Sequence, residues 1–430
     1  MNVTVVGLGK IGLPLAVQFA SKGHQVIGTD VNPAVVDDVN RGQEPFPGET
    51  DLAAKLQATV SAGQLRALVS TTDAVAASDV VVVVVPLFVG ADDAPDFGWL
   101  DSATADIGRG LRAGTLVCYE TTLPVGTTRS RWKPQLERLS GLVEGEDFHL
   151  VFSPERVLTG RVFADLRKYP KLMGGLSELG AKQATVFYEA VLDFDERLDL
   201  ERGNGVWDLG SAEAAEMAKL AETTYRDVNI GLANEFAKFA GGNGIDIHQV
   251  IEASNSQPYS HIHRPGIAVG GHCIPVYPRL YLWNDPSASV VRAARESNAS
   301  MPAYAVGLAR QAYGDLHGAR VAVLGASYRG GVKETAFSGV FPLVEALRVE
   351  LAVVSVHDPM YSPSELATLG FEPYTLGTPV DLVVLQADHE QYATLCPTDI
   401  PGARVIVDGR RVLDGSRFPT ARVVHIGQGA

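Results

Sequence analysis

The sequence predicts an α/β fold in which two Rossmann-like, doubly wound domains are joined by a helical middle domain with one long helix. Two β-branched segments, residues 2–6 and 320–325, each read as a strand that opens onto a glycine turn. Between them, residues 211–240 carry apolar side chains at helical spacing, without proline and with Gly231 as the only glycine. At about 150 residues per domain, the length predicts about three domains. We place them at residues 1–203, 204–314 and 315–430.

Composition and charge exclude several classes of protein. The 430 residues carry a net charge of −14 at pH 7, so no nucleic-acid partner is expected, because such binding needs a basic surface. The apolar run 80–85 is too short to cross a bilayer, and the first residues read as a strand rather than a signal peptide. We therefore expect a cytoplasmic protein without a membrane partner. Three widely spaced cysteines, Cys118, Cys273 and Cys396, predict neither a disulfide framework nor a zinc knuckle.

Residues 7–12 predict a dinucleotide site. Their sequence G-L-G-K-I-G follows a strand and opens a helix, which is the context that a G-x-G-x-x-G motif requires. Gly7 permits the tight turn, Gly9 lets a pyrophosphate approach the backbone, and Gly12 allows close packing of helix and strand. The next strand ends at Asp30, whose carboxylate accepts hydrogen bonds from ribose hydroxyls and repels a 2′-phosphate. The predicted cofactor is therefore NAD rather than NADP.

Polar residues also follow the later strands 116–119 and 149–152, at the edge where ligands bind in open α/β sheets. We favour a site role for Thr122. Thr127 and Thr128 either contact a ligand or cap the helix that starts there. Beyond the second of these strands, Glu155 and Arg156 either form a surface ion pair or line the site.

The middle of the chain presents a lysine and a cysteine. Lys219 lies beside the apolar stripe of the long helix, either as a surface lysine that extends its charge into water or as a functional group. Cys273 follows a glycine pair and precedes two prolines, a pattern that favours a tight loop presenting a thiol. Three nearby histidines match no usual zinc spacing, so we expect no metal. His261 and His263 are expected to be substrate contacts or ordinary polar loop residues.

The last third predicts a second α/β unit without a second NAD site, because its first turn lacks the G-x-G-x-x-G pattern. Four cations in this part of the chain have two open interpretations. They either meet the phosphates of a nucleotide or remain solvated surface charges. They are Arg329, Lys333, Arg410 and Arg411.

Six segments in the same order resemble the UDP-glucose/GDP-mannose dehydrogenase family across essentially the whole chain. They are residues 7–14, 120–128, 154–160, 215–220, 270–273 and 408–410. Residues 154–158, 226–230 and 270–273 look most like the branch that oxidises UDP-N-acetylhexosamines, particularly UDP-N-acetylmannosamine. The resemblance implies an NAD-dependent, four-electron oxidation of the sugar C6 hydroxyl to a carboxylate.

The resemblance also implies roles for individual residues. Cys273 captures the aldehyde as a thiohemiacetal that becomes a thioester, and Lys219 stabilises the oxyanions. Thr122 and Glu155 help to place water and substrate. Implied NAD contacts are Gly7, Gly9, Lys10, Ile11, Gly12, Asp30, Pro86 and Thr122. Implied substrate contacts are Glu155, Arg156, Val157, Lys219, Asn229, His263, Gly270, Tyr328 and Lys333. We further expect a homodimer that packs through the long helix.

Three positions depart from the family pattern. Thr223 replaces the usual Asn, where it can still orient a water, Tyr277 replaces an Asp, and Ala336 replaces an Arg. Tyr277 cannot act as a carboxylate base at neutral pH. Proton removal then falls to water, Glu155 or another residue, or the later steps are slowed. Three alternatives stay open: a UDP-glucose 6-dehydrogenase, a two-electron dehydrogenase that does not need Cys273, and a non-catalytic NAD- and nucleotide-sugar-binding protein.

Overall fold

The computed structural model describes residues 1–90 and 92–428, and it confirms the predicted α/β class. The chain divides into two compact units, Met1–Ala221 and Glu222–Ala430. The boundary falls inside one 31-residue helix, Ala212–Gly242, which corresponds to the long helix predicted at residues 211–240. The division into domains at residues 1–203, 204–314 and 315–430 stays a prediction.

The first unit is built on an eight-stranded sheet with the order β10-β9-β8-β7-β4-β1-β2-β3. Its strands, with the small hairpin β5–β6, are β1 Asn2–Val6, β2 Gln25–Thr29, β3 Leu65–Leu68, β4 Val80–Val83, β5 Phe88–Val89, β6 Pro95–Asp96, β7 Leu116–Tyr119, β8 His149–Phe152, β9 Lys171–Gly175 and β10 Val206–Asp208. The helices are α1 Gly12–Ser21, α2 Pro33–Asn40, α3 Leu52–Ser61, α4 Thr71–Val75, α5 Gly98–Gly110, α6 Lys133–Ser140, α7 Val162–Lys168, α8 Glu178–Val191 and the first part of α9 Ala212–Gly242. A π-helical stretch, Thr128–Trp132, leads into α6.

The central strands of this sheet are buried on both faces. All four residues of β4, β7 and β8 are buried, as expected for parallel strands that are covered by helices on two sides. From β3 to β8 the order is that of a doubly wound dinucleotide-binding sheet. The carboxyl ends of these strands therefore form the edge where a ligand binds.

Strand β9 reverses direction, which the sequence did not predict. It pairs antiparallel with β8 through Val151 with Gly175 and Phe152 with Gly174. Because of this reversal, the first residue of β9, Lys171, lies at the same edge as the carboxyl ends of β7 and β8. A lysine is thus brought beside the polar segments that follow those two strands.

Helix α9 is anchored in the first unit by Glu216. The carboxylate of this buried residue accepts hydrogen bonds from the backbone N–H of Gly126 at 2.5 Å and of Thr128 at 3.0 Å. The Thr128 hydroxyl also donates to it at 2.6 Å. Burial raises the pKa of Glu216 to about 7, although these donors oppose the shift. The bonds tie the start of α9 to the segment that follows β7.

The second unit contains a five-stranded parallel sheet with the order β12-β11-β13-β14-β15. Its strands are β11 Arg320–Leu324, β12 Val353–His357, β13 Leu382–Leu385, β14 Val405–Asp408 and β15 Arg422–His425. Besides the rest of α9, its helices are α10 Ile247–Ser254, α11 Tyr277–Asn284, α12 Ser289–Tyr313, α13 Val340–Val349 and α14 Pro363–Thr368. Two short 3-10 turns occupy Glu390–Thr394 and Gly415–Arg417.

Inside the second unit, α9 and α12 are joined by a buried polar network. Asp227 accepts a hydrogen bond from Arg295 at 2.7 Å and one from the Asn298 amide at 2.8 Å. Asn298 in turn accepts from Asn234 at 2.8 Å. Because these hydrogen bonds join fixed positions on α9 and α12, the two helices have a defined register. In residues 1–90 and 92–428, no helix has the length and apolarity needed to cross a membrane.

Candidate active site

The turn after β1 has the geometry of a dinucleotide-binding loop. Gly7 has φ +94°, a conformation that side chains disfavour, and a Cβ on Gly12 would lie 1.8 Å from the Gly7 carbonyl oxygen. A Cβ on Gly9 would meet no atom within 4 Å. Gly7 and Gly12 are therefore required by the fold, whereas Gly9 keeps open the space through which a pyrophosphate approaches the N-terminus of α1.

Asp30 is fixed at the end of β2 beside this turn. Its carboxylate accepts hydrogen bonds from the backbone N–H of Leu8 at 3.0 Å and of Asn32 at 2.9 Å. The side chain is only half-buried, so its remaining lone pairs can accept bonds from ribose hydroxyls. These residues fit NAD. Lys10 and Ile11 lie in the same turn, Pro86 follows β4, the strand that pairs with β1, and all three residues are exposed or half-buried.

The segment after β7 is held by its own hydroxyl groups. Thr121 donates to the Val85 carbonyl at 2.6 Å, and Thr127 donates to the Pro124 carbonyl at 2.6 Å. Thr128 is bonded to Glu216, and neither Thr127 nor Thr128 provides the expected helix cap. The Thr127 hydroxyl therefore stabilises the turn itself, and the Thr128 hydroxyl ties the turn to α9. Thr122 is buried, with 5% of its surface exposed.

The loop that carries Glu155, Arg156 and Val157 is fixed at several points. The backbone N–H groups of Gly160 and Val162 donate to Glu49, at 2.6 and 2.7 Å. Leu158 N–H donates to Asp165 at 3.0 Å. Near the start of the loop, the Arg156 guanidinium donates to the Pro170 carbonyl at 2.5 Å. The loop is thus attached to neighbouring residues at several points rather than left free at the sheet edge.

A buried charge cluster lies between these two segments. The Lys171 ammonium is 3.0 Å from a Glu120 carboxylate oxygen and also donates to Glu155. The Tyr188 hydroxyl donates to the other Glu120 oxygen at 2.7 Å. Glu155 is 9% exposed at its side chain, so the alternative of a surface ion pair is wrong for this residue. Sequence reasoning missed Lys171, Glu120 and Tyr188 as site residues.

The cluster shifts the protonation equilibria of its members. Burial raises the pKa of Glu120 to about 7, and the Glu155 carboxylate adds to this rise while Lys171 opposes it. Burial alone would lower the pKa of Lys171, but the two carboxylates outweigh burial and hold the pKa above its usual value. Burial raises the pKa of the neighbouring Cys118 thiol to about 12. The lysine is therefore a permanent cation, and Cys118 stays a neutral thiol.

Lys219 and Thr223 are both buried on α9, with 7% and 4% of their surfaces exposed. Of the two alternatives for Lys219, the surface lysine is therefore wrong. A lysine is rarely this buried unless polar groups compensate its charge, so Lys219 is not a solvated cation on the protein surface.

In the second unit, Cys273 lies in a loop without regular structure that precedes α11. Its carbonyl accepts hydrogen bonds from the N–H groups of Val276 at 3.2 Å and Tyr277 at 2.9 Å. The Cys273 side chain is half-buried, which fits the predicted thiol-presenting loop. Tyr277 is the first residue of α11 rather than part of the loop.

The same loop is packed against the segments that follow β11 and β14. Gly271 has φ +93° and donates its N–H to the Ala336 carbonyl at 2.9 Å. A Cβ on Gly270 would come within 2.6 Å of the Tyr328 Cβ, so the Tyr328 side chain covers the glycine pair. The half-buried Arg410 guanidinium donates to the Gln386 carbonyl at 2.7 Å and to the Ala268 carbonyl at 3.4 Å. Arg410 is therefore not a solvated surface charge.

Other predicted substrate residues have local partners. Asn229 donates to the His261 carbonyl at 2.7 Å and accepts from the His263 N–H at 2.8 Å, so it shapes this loop. Burial lowers the pKa of His263. Lys333 is half-exposed and pairs with Glu365 at 2.5 Å.

Of the other two cations, Arg329 is exposed and donates to the Tyr328 hydroxyl at 3.3 Å. The last of the four is Arg411. It pairs with Asp246 at 2.8 Å through both guanidinium nitrogens. This pair ties the segment after β14 to the start of α10. No group of three or more His, Cys, Asp or Glu side chains suited to a metal ion occurs among residues 1–90 and 92–428.

The two motif glycines give a matched test of the cofactor site. We expect Gly9→Ala to leave the free energy of unfolding nearly unchanged but to weaken NAD binding about tenfold or more, because the new methyl group occupies the phosphate approach. Gly12→Ala places a methyl group against the Gly7 carbonyl, so it is expected to cost about 1–3 kcal/mol of stability or more. Urea unfolding and calorimetric NAD titration measure the two effects. Equal destabilisation by both variants would contradict the assignment of Gly9 to the cofactor site and of Gly12 to the fold.

Known proteins resemble the chain over its whole length. Models of the UDP-glucose/GDP-mannose dehydrogenase family match in three parts: the NAD binding domain at residues 1–192, the central domain at 213–300 and the UDP binding domain at 322–415. A UDP-N-acetyl-D-mannosamine dehydrogenase from Pyrococcus horikoshii is 35% identical over 421 residues, 96% of each protein. An NDP-N-acetyl-D-galactosaminuronic acid dehydrogenase from Ralstonia nicotianae is 33% identical over 97% of each.

A solved structure agrees with these sequence matches. The UDP-D-ManNAc dehydrogenase from Pyrococcus horikoshii superposes with a TM-score of 0.88 at 33% identity, covering 100% of this chain and 99% of that one. The glycine turn and Asp30 lie in the part matched by the NAD binding domain, so NAD is the cofactor. The chain belongs to the UDP-glucose/GDP-mannose dehydrogenase family.

Proposed function

We propose that the protein is an NAD-dependent UDP-sugar 6-dehydrogenase that oxidises the C6 hydroxyl of its substrate to a carboxylate. The observation that carries the proposal is the attachment of the Cys273 loop to the part matched by the UDP binding domain. Gly271 is bonded to Ala336, and Tyr328 covers the glycine pair next to the cysteine. A half-buried thiol beside a nucleotide-binding domain suits covalent capture of a sugar aldehyde.

The proposed substrate is a UDP-N-acetylhexosamine, with UDP-N-acetylmannosamine as the first candidate. Support comes from the relative named a UDP-N-acetyl-D-mannosamine dehydrogenase and from the one named an NDP-N-acetyl-D-galactosaminuronic acid dehydrogenase. Both names specify an N-acetylated amino sugar. UDP-glucose is the second candidate, because a UDP-glucose dehydrogenase from Pyrobaculum islandicum has a similar structure, with a TM-score of 0.86 at 28% identity.

The proposed chemistry consists of two oxidations and one hydrolysis. Bound NAD accepts a hydride in each oxidation. After the first, the Cys273 thiolate adds to the C6 aldehyde to give a thiohemiacetal, and the second oxidation of that adduct gives a thioester. Water then attacks the thioester carbon, which releases the uronate and restores the thiolate. Overall, one UDP-sugar, two NAD⁺ and one water give one UDP-uronate, two NADH and three protons.

Further residues assist these steps in the proposal. The buried Lys219 ammonium stabilises the alkoxide and the tetrahedral oxyanions. Thr122 and Glu155 position substrate and water, and Thr223 orients a water. Tyr277 is not a base at neutral pH, so the proton of the C6 hydroxyl leaves through water or Glu155. Arg156, Val157, Asn229, His263, Gly270, Tyr328 and Lys333 remain proposed substrate contacts, and the cytoplasmic location remains a prediction.

The number of NADH molecules per sugar tests the proposal. We expect wild type to form two NADH per UDP-N-acetylmannosamine consumed, and Cys273→Ser to lose the second oxidation because a serine hydroxyl is a much weaker nucleophile. Cys396→Ser is the matched control, because Cys396 lies elsewhere and contacts Asp399. One NADH from both wild type and Cys273→Ser would support a two-electron dehydrogenase instead. No NADH across a panel of UDP-sugars would support a binding protein.

We also propose a homodimer that packs through α9. Within the second unit, this helix exposes apolar side chains spaced seven, four and three residues apart along one face, where a second copy can cover them. They are Tyr225, Leu232, Phe236 and Phe239.

Measurement of the molecular mass in solution tests whether the protein is a dimer. We expect sedimentation velocity to show a dimer of wild type and a monomer of the Leu232→Glu/Phe239→Glu double variant, because two charges would have to be buried. Leu198→Glu is the control, because Leu198 is 90% exposed in a different part of the chain. A monomeric wild type, or a double variant that stays dimeric, would refute an interface on this face.

A further inference from the structure

Lys171 is a buried cation to which the proposed reaction assigns no role. It is the first residue of β9, and 5% of its side chain is exposed. Lysine is almost never this buried unless its charge is paired. The antiparallel direction of β9 brings the ammonium to the carboxyl edge of β7 and β8, the edge where ligands bind in such sheets.

The groups that face Lys171 come from every element around it. Glu120 follows β7, Glu155 follows β8, Tyr188 belongs to α8, and Cys118 lies on β7. Tyr188 and Cys118 are neutral, because burial holds the pKa of each well above its usual value. The ionisable core is therefore one cation between two carboxylates, with the Tyr188 hydroxyl as an additional donor to Glu120.

This arrangement gives the two carboxylates different tasks. Glu120 is fully buried and is held by Tyr188 at 2.7 Å, so it anchors the lysine. The lysine in turn bonds to Glu155, which lies at the start of the loop that Glu49 and Asp165 fix further along. The position of the Glu155 carboxylate is thus set by Lys171, while the rest of the loop is set by other residues.

We propose that Lys171 is a positioning residue for the reaction: its ammonium, anchored by Glu120 and Tyr188, holds the Glu155 carboxylate in place. The inference rests on the proposed function, because it gives Glu155 its task of placing water and substrate. Lys171 acts through Glu155 and need not touch the substrate.

Three full-length variants test the inference with UDP-N-acetylmannosamine as substrate. Lys171→Met removes the charge at similar length, Lys171→Arg keeps the charge, and Lys182→Met is the control, because the Lys182 side chain is 75% exposed on α8. For Lys171→Met we expect kcat to fall about tenfold or more, with a smaller change in KM. The acidic limb of the kcat profile should move to higher pH, because the carboxylates lose their cation.

Lys171→Arg should restore most of the kcat and the acidic limb, and Lys182→Met should match wild type. A merely structural role would lower the melting temperature and the amount of active enzyme without moving the limb. An unmoved limb in Lys171→Met, or an equal loss in Lys171→Arg, would overturn the inference.

Glu120→Gln keeps the inference testable if Lys171→Met does not fold. Loss of the neighbouring negative charge should move the acidic limb in the opposite direction, to lower pH, because Lys171 then serves Glu155 alone. An unmoved limb, or a limb at higher pH, would overturn the inference. The opposite signs expected for the two substitutions distinguish a charge effect from general damage.

An infrared titration separates this inference from the proposed function. Without any substrate, Lys171→Met should show a stronger protonated-carboxyl band at neutral pH than wild type and Lys171→Arg do. Absence of that increase would overturn the role of Lys171 as counter-ion of its carboxylates even in an active enzyme. If wild type oxidises no UDP-sugar but the band increases in Lys171→Met, the proposed function fails while the effect of Lys171 on its carboxylates stands.

Discussion

The buried ion cluster of Lys171, Glu120 and Glu155 is the interaction on which the organisation of the first unit's ligand edge depends. Three charged groups cannot be buried at that edge unless each is paired with an opposite charge. Removal of one partner from a buried pair commonly lowers the free energy of unfolding by about 3–5 kcal/mol. The match is made by strands that run in opposite directions, since β9 supplies the cation and the segments after β7 and β8 supply the anions. In this unit, the ion pairs at the ligand edge therefore depend on the direction in which β9 runs.

The sequence predicted the parallel parts of the fold well, for a physical reason. The bounds of β1, β7 and β8 agree with the strands predicted at residues 2–6, 116–119 and 149–152, because strands buried on both faces consist mostly of apolar residues. The apolar run 80–85 forms a shorter strand, Val80–Val83, although Val84 and Val85 are also apolar. The reversal at β9 was not predicted, because a short strand that begins with lysine and ends in two glycines carries no marker of its direction.

The candidate site was predictable where a local motif carries the chemistry. Gly7, Gly9, Gly12 and Asp30 follow from a strand–turn–helix pattern, and the structure shows the clash at Gly12 and the open space at Gly9 that their roles require. The burial of Lys219 was not decidable from helical spacing, and only the family resemblance pointed to its role. Lys171 has no local signal, because its partners lie on other strands and meet it only after the sheet has formed.

Oxidation through an acyl group on Cys273, as we propose, can be tested by trapping that group with hydroxylamine. Hydroxylamine converts a thioester into a hydroxamate, whereas it converts a free aldehyde into an oxime. With UDP-N-acetylmannosamine, NAD and hydroxylamine, we expect the hydroxamate of the UDP-uronic acid in the mass spectrum of wild-type reactions and its absence with Cys273→Ser. An oxime as the sole trapped product of the wild-type protein, or hydroxamate from both proteins, would show that no acyl group forms on Cys273.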